Sequence, residues 1–356
     1  MSNLLLFTEE AFYCQVSEAV FPLFVGVSYG GHCIKVGVVD SEGRTISYFA
    51  SPNQSSMKPA DAVLHVAKLI NHALSKAGIE FDSVQRIGFS FPGSINPRTD
   101  ELYRPPSLPD WYNFPVVAEL NKALGREITV FCNDANAAAY AEYWIGAAQG
   151  NQSLALLLLG SGIGCGFVID GDGVIGANGF GGEFGHIIVD PSPFARWCNC
   201  RKQGHLEAYS SSAAVARRTL ELLEVGMESS LSKRIDTKTP LQDIPKMVYE
   251  EADKNDALAK QIVLDTAKYI GIGIVTLIHT IDPECVLIGG EMMFGGKGSN
   301  VGEMFLQGIR DEVLSRGLTD IVKFFKLDFA KLGSYASYIG AAGLAREESL
   351  LFEVNE

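Results

Sequence analysis

The chain has 356 residues, more than a single compact core usually holds, so the sequence predicts two lobes with a cleft between them. Hydrophobic residues make up 47% and charged residues 20%, the balance of a globular chain rather than a disordered or fibrous one. The formal charge of −13 argues against a nucleic-acid partner, because non-specific affinity for a phosphate backbone comes from Lys and Arg.

The N-terminal stretch has an apolar run at Leu4–Phe7, but no basic segment precedes it and Glu9 and Glu10 follow, which does not fit a secretory signal. From Leu23 the pattern is a strand (Leu23–Val27), a glycine turn at Tyr29-Gly30-Gly31, a strand (Cys33–Val39), a turn at Asp40–Gly43 and a strand (Thr45–Phe49), an antiparallel meander. A helix over Pro59–Ala77 carries Val63, Val66, Ala67, Ile70 and Leu74 on one face and ends at Gly78. Strand Val84–Phe89 leads into a loop, Pro92–Pro115, with six prolines and Asp110-Trp111-Tyr112. It is long and aromatic enough to shape a binding cleft, and a packed surface loop is the alternative.

A helix near Val116–Leu124 and a strand at Ile128–Phe131 follow, and Asn133-Asp134-Ala135-Asn136 then opens an alanine-rich helix reaching about Trp144. The first layout returns at Leu154–Leu159, Gly160–Gly164, Cys165–Ile169 and the turn Asp170–Gly173. Sliding one unit onto the other places Gly30 on Gly160 and Asp40 on Asp170, so the two lobes share a plan. Helical patterns come next near Ser212–Glu224, Ile244–Ala252 and Ala257–Ile281, with an exposed polar loop at Lys233–Pro245. Cys285–Ile288 is a buried strand ending in Gly289-Gly290, and the chain closes with a helix near Val301–Leu314, a strand near Val322–Leu327 and a helix from about Tyr338 to Glu348.

No run of 18 apolar residues occurs, and the longest, Tyr269–Ile281, is interrupted by Gly271, Gly273, Thr276, His279 and Thr280, so no membrane span is expected. The seven cysteines are odd in number and scattered except for Cys198 and Cys200. They read as reduced thiols of a cytoplasmic protein, with Cys14, Cys33, Cys132, Cys165 and Cys285 as buried small hydrophobes.

Four features carry chemistry. Gly160-Ser161-Gly162-Ile163-Gly164 lets backbone N–H groups approach a phosphate with no Cβ in the way, although a plain hairpin explains it too. Gly289-Gly290 suits either close approach of a nucleotide or a tight turn. Asn133-Asp134 sets a neutral hydrogen-bonding side chain beside a carboxylate, the pair needed to fix a hydroxyl and take its proton, with helix capping as the alternative. His186, Cys198, Cys200 and His205 offer two imidazoles and two thiols, the donor set of tetrahedral zinc, unless the loop is merely polar. Glu183 and Glu207 flank that set, as polyol acceptors or as solvated carboxylates.

Taken in order, Gly30-Gly31, Pro92-Gly93, Asn133-Asp134-Ala135-Asn136-Ala137-Ala138-Ala139, Gly160–Gly164, Gly182-Glu183-Phe184-Gly185-His186, Cys198-x-Cys200, Gly204-x-Leu206-Glu207 and Asp282-Pro283 with Gly289-Gly290 resemble the ROK family of sugar kinases, open reading frames and repressors, over residues 23 to about 345. The resemblance implies an α/β protein of the actin-like, ribonuclease H-like ATPase fold. It implies a small lobe over 23–133 completed by the terminal helix at about 338–350, and a large lobe over 134–337 with a zinc-binding loop. Sugar and ATP with Mg²⁺ would share the interlobe cleft, and the assembly would be a homodimer or homotetramer. Carried over by position, Asn133, Glu183, His186 and Glu207 look like sugar ligands and Asp134 like the catalytic base. His186, Cys198 and Cys200 look like zinc ligands, and Gly30, Gly31, Gly160, Ser161, Gly162, Gly164, Gly289 and Gly290 like phosphate and adenosine loops.

Two departures stand out. Where the family has Asp-x-Gly-Gly-Thr-Lys, this chain has Ser28-Tyr29-Gly30-Gly31-His32-Cys33; the third zinc cysteine is His205, and the glycine after Cys-x-Cys is Arg201. The expected function is ATP-dependent phosphorylation of a glucose-like hexose, weakened at the first loop, and the alternative is a sugar sensor without turnover. ROK repressors carry a winged helix-turn-helix ahead of the sugar domain, and only about 22 residues precede the first strand here, so DNA binding is not expected.

Overall fold

The computed structural model describes residues 12–53, 57–103, 105 and 108–354; the Leu4–Phe7 run lies outside them. The meander forms as β1 (Leu23–Tyr29), β2 (Cys33–Val39) and β3 (Thr45–Pro52). Next comes α1 (Pro59–Ala77), with proline in its first turn and Gly78 capping its end at φ 68°. After β4 (Val84–Phe91), α2 (Val116–Leu124) and β5 (Thr129–Asn133), α3 (Asp134–Trp144) starts directly on the last strand residue.

The second half supplies β6 (Leu154–Leu159), β7 (Ile163–Ile169), β8 (Asp172–Gly173), a single turn α4 (Glu207–Ser210), α5 (Ser212–Glu224), α6 (Ile244–Asp253), α7 (Ala257–Ile281) and β9 (Cys285–Gly290). It ends with α8 (Asn300–Arg316), the turn α9 (Thr319–Val322), β10 (Lys326–Phe329) and α10 (Ala336–Val354).

The two halves are wired alike. One five-stranded sheet runs β3-β2-β1-β4-β5 and the other β8-β7-β6-β9-β10. In each, the first two strands pair antiparallel while the first, fourth and fifth run parallel. The repeat glimpsed in the glycine hairpins thus extends to whole sheets. Asp40 and Asp170 do close equivalent turns but do different work. Asp40 is fully buried and accepts from the Val20, Glu42 and Arg44 N–H groups and from Arg44 Nε, whereas Asp170 is exposed.

Each sheet has an outer core. Ile34, Val36, Ile87 and Phe89 pack under α1 in the first, and Leu157, Ile288, Ile270 and Phe305 pack with α7 and α8 in the second. Between the inner faces, α10 lies on the first sheet, α3 lies on the second, and the two helices pack on each other. Phe24, Val39, Leu156, Val168, Tyr338 and Ile339 meet there in a third, interlobe core. Glycine makes this approach possible. A Cβ on Gly26 or Gly88 would collide with the carbonyls of Tyr338 or Ala341 on α10, one on Gly166 with the Ala135 carbonyl on α3, and one on Gly340 with the Ala137 carbonyl where the helices cross.

Three local expectations need correcting, and one helix calls for comment. The strand expected near Val322–Leu327 is Lys326–Phe329, and residues 319–322 are helical, because a short apolar run does not by itself distinguish strand from helix. Ile244 and Pro245, assigned to an exposed loop, are buried at the start of α6. Cys14 and Cys33 are only half-buried, while Cys132, Cys165 and Cys285 are buried. Helix α7 has the length and apolarity of a membrane span, yet Ile262, Ile270, Ile274 and Leu277 are buried in the second lobe's core.

Candidate active site in the interlobe cleft

The β5–α3 junction sits at the bottom of a cleft cavity of about 710 Å³, within the ~300–1,000 Å³ of small-molecule sites. Asn133 caps α3. Its Oδ1 accepts from the Ala135 and Asn136 N–H groups at 2.9 and 3.1 Å, and its Nδ2 donates to the Gly93 carbonyl at 2.9 Å, which ties the start of the helix to the loop after the neighbouring strand β4. Capping and ligand lining are therefore not exclusive, since Asn133 still faces the cavity.

Asp134 is the first residue of α3, and its Oδ1 accepts from the Ala135 N–H at 2.9 Å. The residue is partly open to the cleft, but protein crowds the carboxylate, and this desolvation pushes its pKa up to about 6, against the smaller pull of the backbone N–H groups. A carboxylate poised there is ionised near neutrality and more basic than an ordinary aspartate.

Glu183 and His186 line the same cavity. Glu183 Oε1 accepts from Ser94 Oγ at 2.7 Å across the cleft, and its Oε2 lies 3.8 Å from His186 Nε2. The cleft mouth is walled by Tyr103 stacked on Phe180, with centroids 4.9 Å apart. Ser94, Tyr103, Tyr112, Asn136 and Phe180 are lining residues that the sequence reading did not single out as ligands. Ser94 and Phe180 adjoin Pro92-Gly93 and Gly182, Asn136 belongs to the motif that opens α3, and Tyr103 and Tyr112 lie in the proline-rich loop. Trp111, by contrast, is buried in the first lobe's core against Tyr29 and Phe91, so of the aromatic pair only Tyr112 faces the cleft.

Glu207 is placed differently. Its Oε2 accepts from the Ile163 N–H at 3.1 Å, and its Oε1 faces the Cys198 thiol at 3.4 Å, so it bridges the second glycine loop and the cysteine loop rather than lining the cavity. Of the residues expected in the phosphate and adenosine loops, Gly164 lines the cavity; Gly30, Gly31, Gly160, Ser161, Gly162, Gly289 and Gly290 do not. Gly31 and Gly160 have open space where a Cβ would stand, whereas Gly290, at φ 96°, is pressed on the Leu159 backbone, so packing alone requires a glycine there.

His186, Cys198, Cys200 and His205 converge, with one ligand atom of each within 4.8 Å of the others. The two Nδ1 atoms are 3.2 Å apart, Cys200 Sγ is 3.2 Å from His205 Nδ1, and Cys198 Sγ is 3.8 Å from His186 Nδ1. Zinc bonds of about 2.0–2.3 Å in a tetrahedron put ligands roughly 3.3–3.8 Å apart, so the donor set fits that ion. The loop is held by bridges Ile188–His205 and Trp197–Gln203 and by Tyr209, whose hydroxyl donates to Asp190 Oδ2 at 2.6 Å.

Arg201 lies at φ 66°, the left-handed region that favours glycine, which accounts for the glycine of the motif it departs from. Arg201→Gly is expected to stabilise the fold by up to about 1 kcal/mol, read as a higher midpoint in urea; an unchanged or lower midpoint would contradict this.

Two lobes of repeated wiring, closed on helices that present a carboxylate at a strand end, define an actin-like ATPase fold with a ligand cleft. The ROK family model matches residues 24–348, and the chain belongs to the ROK family. It is 31% identical over 325 residues to the glucokinase of Halalkalibacterium halodurans, covering 91% of this chain and 95% of that one. The structure of a ROK glucokinase from Streptomyces griseus in complex with glucose and AMPPNP superposes with a TM-score of 0.69 at 30% identity, covering 91% and 99% of the two chains. A xylose repressor of Caldicellulosiruptor bescii is 28% identical over 80% of this chain and 68% of its own.

Proposed function

We propose that this chain is an ATP-dependent sugar kinase that transfers the γ-phosphoryl group to a hydroxyl of a glucose-like hexose. The observation that carries the reading is Asp134, recessed at the cleft floor with its pKa pushed up to about 6 beside Asn133, Glu183 and His186. In this reading the small lobe, 23–133 with 338–350, and the large lobe, 134–337, grip the substrates between them. Asn133, Glu183 and His186 hold the sugar hydroxyls, Asp134 accepts the proton of the attacking hydroxyl, and the O–P bond forms as the bond to the β-phosphate oxygen breaks. Glu207 holds the second glycine loop against the sugar wall, with Gly160–Gly164 and Gly289-Gly290 beside the nucleotide. A zinc on His186, Cys198, Cys200 and His205 would stiffen the loop that carries His186. Homodimers or homotetramers complete the reading.

The first glycine loop offers no carboxylate, since Ser28 stands on β1 where the family has aspartate. It does not fit a protein-held magnesium, which would enter only with its nucleotide as Mg-ATP. Losing such an electrostatic contact typically costs about 10²–10³ in rate, so slow turnover is expected, and Ser28→Asp should raise kcat without changing sugar affinity. An unchanged kcat in Ser28→Asp would remove this account of the loop. The same loop favours a second reading, a sugar sensor without turnover.

The test is calorimetry with a panel of hexoses on folded, zinc-loaded protein. The kinase and the sensor both require measurable affinity for at least one sugar, and binding of none would end both. A coupled ADP-release assay on the sugar that binds then separates the two.

A further inference from the structure

Lys35 stands on β2 directly across from Ser28 on β1. Ile34, Val36 and Val38 point into the first lobe's outer core, while Gly37 lies under the Tyr338 ring and Val39 enters the interlobe core. Strand alternation therefore sends Cys33 and Lys35 toward the other lobe, with Lys35 about 6.6 Å further along the strand. Its Nζ reaches the far side and donates to the Ser334 carbonyl at 2.7 Å, just before α10.

The nearest carboxylate influence is Glu291, which follows Gly289-Gly290, and among the described residues no carboxylate forms an ion pair with the ammonium. Burial lowers its pKa below the usual lysine value. The ammonium has one protein partner among the described residues, in an exposed contact, so its other two N–H donors stay open to an anion that enters between the lobes. Lys35, on the strand that leaves the first glycine hairpin, thus lies within electrostatic reach of Glu291, the residue after Gly289-Gly290.

Resting on the kinase reading, we propose that Lys35 is the cation that binds the nucleotide's β- and γ-phosphates in this chain, standing in for the lysine that Cys33 replaces. This sequence has Ser28 and Cys33 where the family motif has a carboxylate and a lysine, and Lys35, two residues along the same face, supplies a positive charge.

The experiment is calorimetry of the zinc-loaded full chain with AMPPNP, with AMP and with the sugar it binds, for wild type, Lys35→Met, Lys35→Arg and the double variant Cys33→Lys/Lys35→Met. Loss of a charged hydrogen bond should weaken AMPPNP in Lys35→Met by about 10- to 100-fold, with AMP and sugar affinities within about twofold of wild type. Lys35→Arg should retain part of the AMPPNP affinity, and the added lysine at position 33 should recover part of it. Unchanged AMPPNP affinity in Lys35→Met overturns the assignment and leaves the kinase reading standing. A parallel fall of AMP and sugar affinity also overturns it, by showing a packing role. A wild-type chain that binds sugar but no AMPPNP overturns the assignment and the kinase reading together.

Discussion

Asp134→Asn should lower sugar phosphorylation by about 10²–10⁴-fold, the range that a positioned general base contributes, while sugar affinity changes by less than about tenfold. Asparagine keeps the shape and can still accept the Ala135 N–H that holds Asp134 Oδ1 at 2.9 Å, but it cannot take a proton. The pH profile carries a second mark of the same group. Because desolvation raises the Asp134 pKa to about 6, the base is protonated and idle below that value and ionised above it. The wild-type rate should therefore climb as pH rises through about 6 and level off above. An Asp134→Asn variant with wild-type rates, or a wild-type rate flat from pH 5 to 8, would show that the proton goes elsewhere.

The second large effect concerns the metal. Elemental analysis of protein purified without chelator should find about one zinc per chain, and Cys198→Ser should carry little or none. His186 lines the cleft cavity and also meets His205 at 3.2 Å, so one residue belongs to both the cavity wall and the Cys/His group. Without zinc, the segment between Ile188 and His205 would be held by two isolated bridges, the Tyr209 contacts and the Arg196–Glu221 ion pair, and should loosen at its Cys/His end. Sugar affinity should then fall by at least about tenfold, the loss of one charge-assisted contact, and the thermal midpoint should drop. A metal-free, fully folded protein whose sugar affinity is indifferent to Cys198→Ser would refute the zinc site.

Much of this was legible in the sequence for local reasons. Helices α1, α2 and α5 have the predicted limits because proline, glycine and apolar spacing act within a turn or two. The placement of Asp134 at the start of α3 was legible because a strand end running straight into a capped helix is a local pattern. The glycines show where such reading runs out. Gly290, read as a nucleotide loop or a tight turn, is required by the Leu159 backbone, and Gly26, Gly88, Gly166 and Gly340 matter through helices far away in sequence. Only the folded chain shows those contacts. The same holds for the cleft walls, since Ser94 with Glu183 and Tyr103 with Phe180 join segments more than 70 residues apart. Trp111 read as a cleft aromatic because sequence alone does not tell which of two adjacent rings turns inward.

The most direct test is phosphorus NMR of the zinc-loaded chain incubated with Mg-ATP and each hexose of a panel. A sugar monophosphate signal should appear with at least one hexose, growing in step with ADP and absent in Asp134→Ala. A chain that binds a hexose by calorimetry yet yields no sugar phosphate, in wild type and in Ser28→Asp alike, would contradict the kinase and leave a sugar sensor.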